Sequence, residues 1–146
     1  MRTKNRLPRY LKCWLLAAFL ILLSGCGGGS GDSVDADSGW TVALVLPGQI
    51  NDRGWNEIGY QGLLRIRDEL GARVLYSEDT KMVNWDRVIR GFIADGADIV
   101  LLHGLEFEDI GRRFAAENPD VYFLVSNAVQ MAGPNLSSVG LRTQEA

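Results

Sequence analysis

Apolar runs and helix-type patterns alternate regularly from residue 40 onward, and this alternation constrains the fold more than any other feature. Short turns containing Gly, Pro, Asn or Asp separate the segments. Strands that alternate with helices of roughly 10–15 residues are typical of a parallel sheet, because two parallel strands need a crossover connection between them. The sequence therefore predicts a doubly wound α/β fold with a parallel sheet and helices on both faces.

Five strands and three helices follow from this pattern. Four strands are apolar runs that suit a sheet covered on both faces, WTVALVL, ARVLY, ADIVLL and VYFLV, and LSSVGL is the fifth. Helices are predicted over 55–70, 84–95 and 106–118, each followed by Gly or Pro. The apolar residues that define the inward faces of these helices are Ile58, Leu63, Ile66 and Leu70 on the first, Trp85, Val88, Ile89, Phe92 and Ile93 on the second, and Ile110, Phe114 and Ala115 on the third.

Residues 1–25 have the pattern of a secretory signal. Five basic residues come first, the apolar run CWLLAAFLILL follows, and the stretch LSGC lies at its end. That ending resembles the bacterial lipobox, which predicts that Cys26 is lipidated and becomes the new N-terminus. A transmembrane anchor is the alternative, although the run is short for a bilayer. Residues 26–39, rich in Gly, Ser and Asp, then predict a flexible tether.

Charge and cysteine content exclude several classes of function. Taking the five leader cations from the 15 Lys and Arg leaves ten against 18 acidic residues, a net charge of −8. Nucleic-acid binding requires a basic face, so it is not expected. Cys13 is removed with the leader and Cys26 carries lipid, which leaves no thiol for a disulfide, a metal site or a nucleophile.

The last residues, RTQEA, resemble the first turn of a further helix. A parallel sheet without its last crossover would leave an apolar face uncovered. We therefore expect that residues 40–146 are an incomplete lobe of a longer protein. The alternative is a complete small domain whose terminal residues fray.

Ligands of doubly wound sheets bind beyond the carboxyl ends of the strands, so the loops that leave strands are the informative ones. The stretch PGQINDRGWNEIGYQGL follows the first strand. It matches neither the dinucleotide-binding pattern G-x-G-x-x-G nor the phosphate-binding loop. Asn51, Asp52 and Trp55 instead offer hydrogen-bonding groups and a flat ring, which suit a small polar or heterocyclic solute. The structural alternative is that Asp52 caps the helix and Trp55 packs under the loop.

Several motifs together resemble the basic membrane lipoprotein family of ABC-transporter substrate-binding proteins, several of which capture purine nucleosides. INDRGWNEIGYQGL is similar to the family's first binding loop, N-D-x-[GS]-F-N-x-x-x-Y-x-G-L, with Trp55 in the aromatic place. GFIADGADIVLLHGLEFED, AAENPDVYFLVSN and NLSSVGLRTQEA resemble later segments in the same order. The resemblance runs from about Trp40 to the last residue.

This resemblance implies a periplasmic-binding-protein-like fold of type I, in which two hinged α/β lobes close on a solute and this chain supplies the N-terminal one. It implies an extracytoplasmic protein, anchored to the cell membrane by lipid on Cys26, that delivers a nucleoside-like compound to an ABC permease without catalysis, cofactor or metal. The residues assigned to ligand binding are Asn51, Asp52, Trp55, Asn56, His103, Gly104 and Asn127, with Trp55 stacked on a base.

Two positions depart from the family pattern, and two other functions stay open. Asn127 replaces the usual Asp after the fourth strand, and His103 stands where relatives more often have a small hydroxyl residue. No Ser or Cys partner for His103 is visible in the sequence, so nucleophilic catalysis is not expected. A ligand-sensing receptor lipoprotein would have the same fold. A nucleoside-processing enzyme would need convergent acid, base or metal-binding groups. Asp52, Glu78, Asp79 and Glu106 are the acids expected on this edge, and Asp52 with Asp79 are the candidates for holding a metal.

Overall fold

The computed structural model describes residues 39–129 and 131–140. The predicted leader 1–25, the lipidation site Cys26, nearly all of the tether 26–39 and the segment after residue 140 lie outside the described residues. The strands are β1 (Thr41–Val45), β2 (Arg73–Ser77), β3 (Ile99–Leu102), β4 (Tyr122–Ser126), β5 (Ala132–Gly133) and β6 (Leu136–Val139). The α-helices are α1 (Trp55–Leu70), α2 (Met82–Ala94) and α3 (Glu108–Glu117), and a short 3-10 helix, Leu105–Phe107, precedes α3.

The strands form one sheet in the order β2-β1-β3-β4-β6-β5. Every neighbouring pair is parallel except β5 with β6. The strand order reverses direction at β1, which confirms the predicted doubly wound α/β fold. The sequence pattern did not predict β5, because a strand of two residues is too short to show a periodicity.

Two helices close one face of the sheet over a continuous core. On this face β1 contributes Ala43 and Val45, and β4 contributes Phe123 and Val125, which alternate with residues of the other face. The helix residues that pack here include the predicted Trp85, Ile89, Phe114 and Ala115, with Val88, Phe92, Ile93 and Ile110 partly buried against them. The predicted inward faces of α2 and α3 are therefore confirmed.

Helix α1 covers only part of the opposite face. Leu63 packs fully buried against Val42 and Leu44, and Ile66 lies partly buried beside them. Ile58 is 68% exposed, so the prediction that it faces the sheet is wrong. Five residues separate Ile58 from Leu63, which places the two side chains on clearly different sides of a helix with 3.6 residues per turn.

Leu70 lies close to the stripe of Leu63 but is 65% exposed, because α1 ends there beside a part of the sheet that no other helix of residues 39–129 and 131–140 covers. An apolar hollow of about 430 Å³ lies there. Its lining residues are Trp40, Val42, Ile66, Leu70, Ala72, Ile99, Leu101 and Leu124. None of the predicted ligand-binding residues lines this hollow. Within the described part of the chain, no helix is both long and apolar enough to cross a membrane.

Candidate functional site

The loop between β1 and α1 is held by the side chain of Asn56. This residue is 9% exposed, and its Oδ1 accepts the N–H of Gly48 at 3.1 Å. Its Nδ2 donates to Oδ2 of Asp52 at 2.7 Å. A Cβ at Gly48 would lie 2.5 Å from Nδ2 of Asn56, so position 48 has room only for glycine. Asn56 is predicted to bind ligand, but in the structure its side chain forms hydrogen bonds with Gly48 and Asp52 of the loop.

Asp52 caps helix α1 with both carboxylate oxygens. Oδ1 accepts the N–H groups of Gly54 at 2.8 Å and Glu57 at 3.1 Å, and Oδ2 accepts that of Asn56 at 3.1 Å. The side-chain hydrogen bond from Asn56, followed by these backbone donors, lowers the pKa of Asp52 from its ordinary 3.8 to about 2. The structure therefore shows Asp52 as the cap of α1, the alternative to ligand binding. The free N–H groups at the start of a helix favour such an anion.

The loop after β2 supports the first loop from the side. Asp79 donates its N–H to the carbonyl of Gly48 at 2.8 Å, and Thr80 donates to that of Leu46 at 3.0 Å. The N–H of Ile50 donates to Oε2 of Glu78 at 2.9 Å. These bonds connect the loops at the carboxyl ends of two neighbouring strands.

Trp55, the first residue of α1, contacts His103 at the end of β3 in three ways. The indole and imidazole rings stack with centroids 4.2 Å apart and an angle of 16° between their planes. The indole Nε1 donates to the carbonyl of His103 at 3.3 Å, and Nε2 of His103 lies 2.8 Å from the carbonyl of Trp55. His103 is 9% exposed, whereas Trp55 is only half-buried. The tryptophan is thus the outer ring of the pair.

Ser126, the last residue of β4, is a partner of His103 that sequence reasoning missed. Its Oγ lies 3.0 Å from Nδ1 of His103. Leu102 of β3 is in register with Val125 of β4, so the next residues along both strands lie side by side. A register alignment of the two predicted strands could therefore have indicated this pair, which the expectation of no hydroxyl partner overlooked.

The loops after β3 and β4 depend on unusual backbone conformations. Gly104 has φ 151° and ψ 152°, a region that is essentially restricted to glycine. A Cβ there would also collide with the carboxylate of Glu106. Asn127 is exposed with a left-handed φ of 57°, and its N–H donates to the carbonyl of Val139 at 2.6 Å. Asparagine tolerates this conformation better than most residues.

The predicted residues therefore divide into three groups. Asp52, Asn56 and Gly104 shape the loops. Trp55 and His103 form a pair of stacked rings, and Ser126, which contacts His103, is followed directly by Asn127. Asn51 and Asn127 are exposed, and neither side chain makes a hydrogen bond to another residue of the described ranges. Such an edge, with one half-buried indole and neutral amides, can stack on a flat ring and exchange hydrogen bonds with its substituents.

Both carboxylates that the sequence names as candidate metal ligands contact donors of the protein. Asp52 is bound to the start of α1, and Oδ1 of Asp79 pairs with Nζ of Lys81 at 2.5 Å. In residues 39–129 and 131–140, no three His, Cys, Asp or Glu side chains are grouped so as to hold a metal ion. The two carboxylates named from the sequence are thus already occupied by protein donors.

Comparison with protein families gives a match over residues 40–146. The matching family is described as ABC transporter substrate-binding protein, PnrA-like. The matched range includes all of β1 to β6 and every predicted ligand-binding residue, and it supports the resemblance drawn from the sequence motifs.

Individual relatives are similar over most of this chain. A transcriptional activator protein, Med, of Bacillus subtilis is 31% identical over 129 residues, which are 86% of this chain and 38% of the relative. Basic membrane protein A of Borreliella burgdorferi is 24% identical over 135 residues, 90% of this chain and again 38% of the relative. The chain thus spans about two fifths of the length of these relatives.

Among solved structures, an ABC transporter solute-binding protein from Conexibacter woesei has a similar fold. It superposes with a TM-score of 0.61 and 30% sequence identity over 68% of this chain and 34% of the other. The superposed part of this chain thus corresponds to about one third of that solute-binding protein.

Proposed function

This chain belongs to the PnrA-like family of ABC transporter substrate-binding proteins, and from that premise we propose that it binds a nucleoside-like solute for an ABC permease. In this proposal the protein is an extracytoplasmic receptor attached to the membrane through lipid on Cys26. The solute would be held by ring stacking and neutral hydrogen bonds, without chemical conversion.

The half-buried indole of Trp55 is the observation that carries this proposal. It lies at the carboxyl edge of the sheet, where doubly wound folds bind ligands, and His103 stacks on it at 4.2 Å. Stacking on an aromatic residue is open to every nucleobase, because each base has a flat π face. The exposed amides of Asn51 and Asn127 on the same edge would then read polar groups of the solute.

Calorimetric titration of the full chain with adenosine, guanosine and uridine tests the proposal. We expect binding of at least one nucleoside, with weak affinity, because one lobe provides only one wall of a cleft. Trp55→Ala should lose about 1–3 kcal/mol of binding free energy, the usual value of one base–aromatic stack. Trp40→Ala is the matched control, since Trp40 lies at the apolar hollow and not in the site.

No heat and no chemical-shift change with any nucleoside, at concentrations up to the solubility limit, would contradict the proposal. An equal loss of affinity in Trp40→Ala and Trp55→Ala would also contradict it, because the stack would then not lie at Trp55.

The membrane attachment is tested separately. Cells grown with labelled palmitate should incorporate label into the wild-type protein and not into Cys26→Ser. Equal incorporation of label into the wild type and Cys26→Ser would contradict lipidation at this residue.

A sensor function is the second candidate, because a relative 31% identical is named a transcriptional activator. The two candidates share the binding site and differ in its consequence. Deletion of the gene should abolish uptake of labelled nucleoside if the protein serves a permease. A change in gene expression with unchanged uptake would favour the sensor.

The pairing of Ser126 with His103 is the feature that an enzyme would need. Incubation of the protein with each nucleoside, followed by chromatography for the free base, decides this point. We expect no product. Free base that forms with the wild type and not with Ser126→Ala would overturn the binding-only proposal.

A further inference from the structure

The contacts between Trp55 and His103 fix the indole more firmly than stacking alone would. Each residue accepts, on its backbone carbonyl, a hydrogen bond from the ring of the other, at 3.3 and 2.8 Å. The first turn of α1 and the end of β3 are thereby joined through two rings. Rotation of either ring would break a hydrogen bond and separate the stacked faces.

The partners of His103 determine which nitrogen carries the hydrogen. The carbonyl oxygen of Trp55 can only accept, so Nε2 must donate to it. In the tautomer with its hydrogen on Nε2, Nδ1 accepts the hydroxyl hydrogen of Ser126, 3.0 Å away. Both ring nitrogens thus have a hydrogen-bond partner. A ring flipped by 180° would place carbon atoms opposite the carbonyl of Trp55 and the hydroxyl of Ser126, and both hydrogen bonds would be lost.

Space for the imidazole exists because residue 59 is glycine. A Cβ at this position would lie 2.7 Å from Nε2 and 2.8 Å from Cε1 of His103, closer than nonbonded atoms can approach. Gly62, three residues further along the same helix, has no atom within 4 Å of a Cβ built there. The two glycines thus form a matched pair, one of which touches the imidazole.

Trp85 provides the contrast within the same molecule. Its ring packs on Phe107 at 4.2 Å, its Nε1 donates to the carbonyl of Thr80 at 2.8 Å, and it is only 7% exposed. Trp85 is therefore a core residue. Trp55 makes comparable contacts but remains half-exposed, so part of its surface is accessible to a ligand.

We propose that His103 is a positioning residue, held by Ser126, that fixes the Trp55 indole so that its outer surface is ready to stack on a planar ligand ring. The ligand part rests on the proposed function, whereas the orientation of the indole does not. His103 touches Trp55 from the inside and acts on the ligand only through it.

Two-dimensional ¹H–¹⁵N spectra of the indole groups test the orientation in the full chain without ligand. Trp55→Phe identifies the Trp55 signal, and the Trp85 signal is the internal control. Ser126→Ala and Gly59→Ala should shift the Trp55 signal and speed exchange of its Nε1 hydrogen with water. Ser126→Thr, which restores a hydroxyl, should return the signal toward the wild-type position, and Gly62→Ala should leave it in place.

The ligand part is tested with guanosine as the probe, or with whichever of the three nucleosides the wild type binds. Loss of one hydrogen bond behind the stack should weaken binding roughly 2- to 10-fold in Ser126→Ala, with recovery in Ser126→Thr. Gly62→Ala should bind like the wild type. Unchanged affinity in Ser126→Ala, despite a shifted indole signal, would overturn the ligand part.

A Trp55 signal that stays unchanged in both Ser126→Ala and Gly59→Ala would overturn the positioning role itself. If no nucleoside binds the wild type, the proposed function fails, and the indole spectra still decide whether His103 sets Trp55. Should Gly59→Ala not fold, the serine variants alone carry the same test, because Ser126→Ala removes the hydroxyl that faces Nδ1 and Ser126→Thr restores one.

Discussion

The two edges of the sheet use residues with left-handed backbone in opposite ways. At the amino edge, the turns into β2 and β3 place glycine in this conformation, Gly71 with φ 67° and Gly96 with φ 83°. At the carboxyl edge, the loops after β1, β2 and β4 place Arg53, Asp79 and Asn127 there, with φ of 56°, 48° and 57°. Residues with a Cβ pay a steric cost in this region that glycine avoids.

The two edges also differ in the surroundings of their polar side chains. At the amino edge, Nδ2 of the buried Asn135 donates to the carbonyls of Ala115, Asn118 and Val121, each at 2.9 Å. Oδ2 of Asp98 accepts the N–H of Thr41 at 2.7 Å. The amino edge thus satisfies its own backbone. At the carboxyl edge Asp52, Asn56 and Glu78 also accept backbone N–H groups, but the strained residues and the exposed amides lie there as well. Backbone strain of this kind clusters at functional sites, which agrees with the position of the proposed site.

The largest effect should come from removing the amide at the amino edge. Asn135→Ala leaves three carbonyls without their common donor, and we expect a loss of about 2–3 kcal/mol in the free energy of unfolding. Asn51→Ala, at the exposed carboxyl edge, should change it by less than about 0.5 kcal/mol. Urea unfolding of both variants measures the difference. Similar values for the two would mean that the edges do not differ in this way.

Next in size is the cost of a Cβ at the left-handed glycine of the amino edge. Gly96→Ala meets no atom within 4 Å, so its loss of about 1–2 kcal/mol would be purely conformational. Gly91→Ala, in the exposed interior of α2, is the control and should gain about 0.5–1 kcal/mol through helix propensity. Thermal unfolding of both shows the opposite signs. A neutral Gly96→Ala would show that φ at this position adapts without cost.

How far the sequence predicts this molecule depends on the range of the interaction concerned. The apolar spacing and Gly71 predict helix α1 over Trp55–Leu70, and the structure has it there. The prediction holds because the residues that start and end a helix lie within or next to it. Ile58 was misplaced although a local rule separates it from Leu63, because a spacing of five does not keep two residues on one side of a helix. The exposure of Leu70 could not be predicted, since nothing local shows how much of the sheet one helix covers. The contact of Ser126 with His103 joins residues 23 apart and depends on strand register, which spacing within a segment does not reveal.

The strain at the carboxyl edge predicts a smaller effect of opposite sign. Arg53→Gly removes the Cβ from a left-handed residue, and we expect a gain of about 0.5 kcal/mol after the extra freedom of the unfolded chain is subtracted. Arg53→Ala removes the charge but keeps the Cβ, so it should show no gain. Chemical unfolding of both variants separates the effect of charge from that of backbone. A gain in Arg53→Ala equal to that in Arg53→Gly would contradict the strain argument.

Asp52 limits the comparison, because it is a carboxyl-edge residue that serves its own backbone, and its effect should appear only in acid. Its pKa is lowered in the folded protein to about 2, so its ionised form stabilises the fold fully above its ordinary pKa of 3.8. This contribution should be lost as the pH falls from about 3.8 to about 2. The stability difference between wild type and Asp52→Asn should therefore shrink across this window, as measured by thermal unfolding at a series of pH values. Asp52→Ser, which keeps a capping oxygen without a titrating charge, should differ from Asp52→Asn by an amount that is independent of pH. A wild-type minus Asp52→Asn difference that stays constant down to pH 2 would show that the carboxylate does not bind the start of α1 in solution. The carboxylate of Asp52 would then be free to contact a ligand, which is the role that the family resemblance implies for this residue.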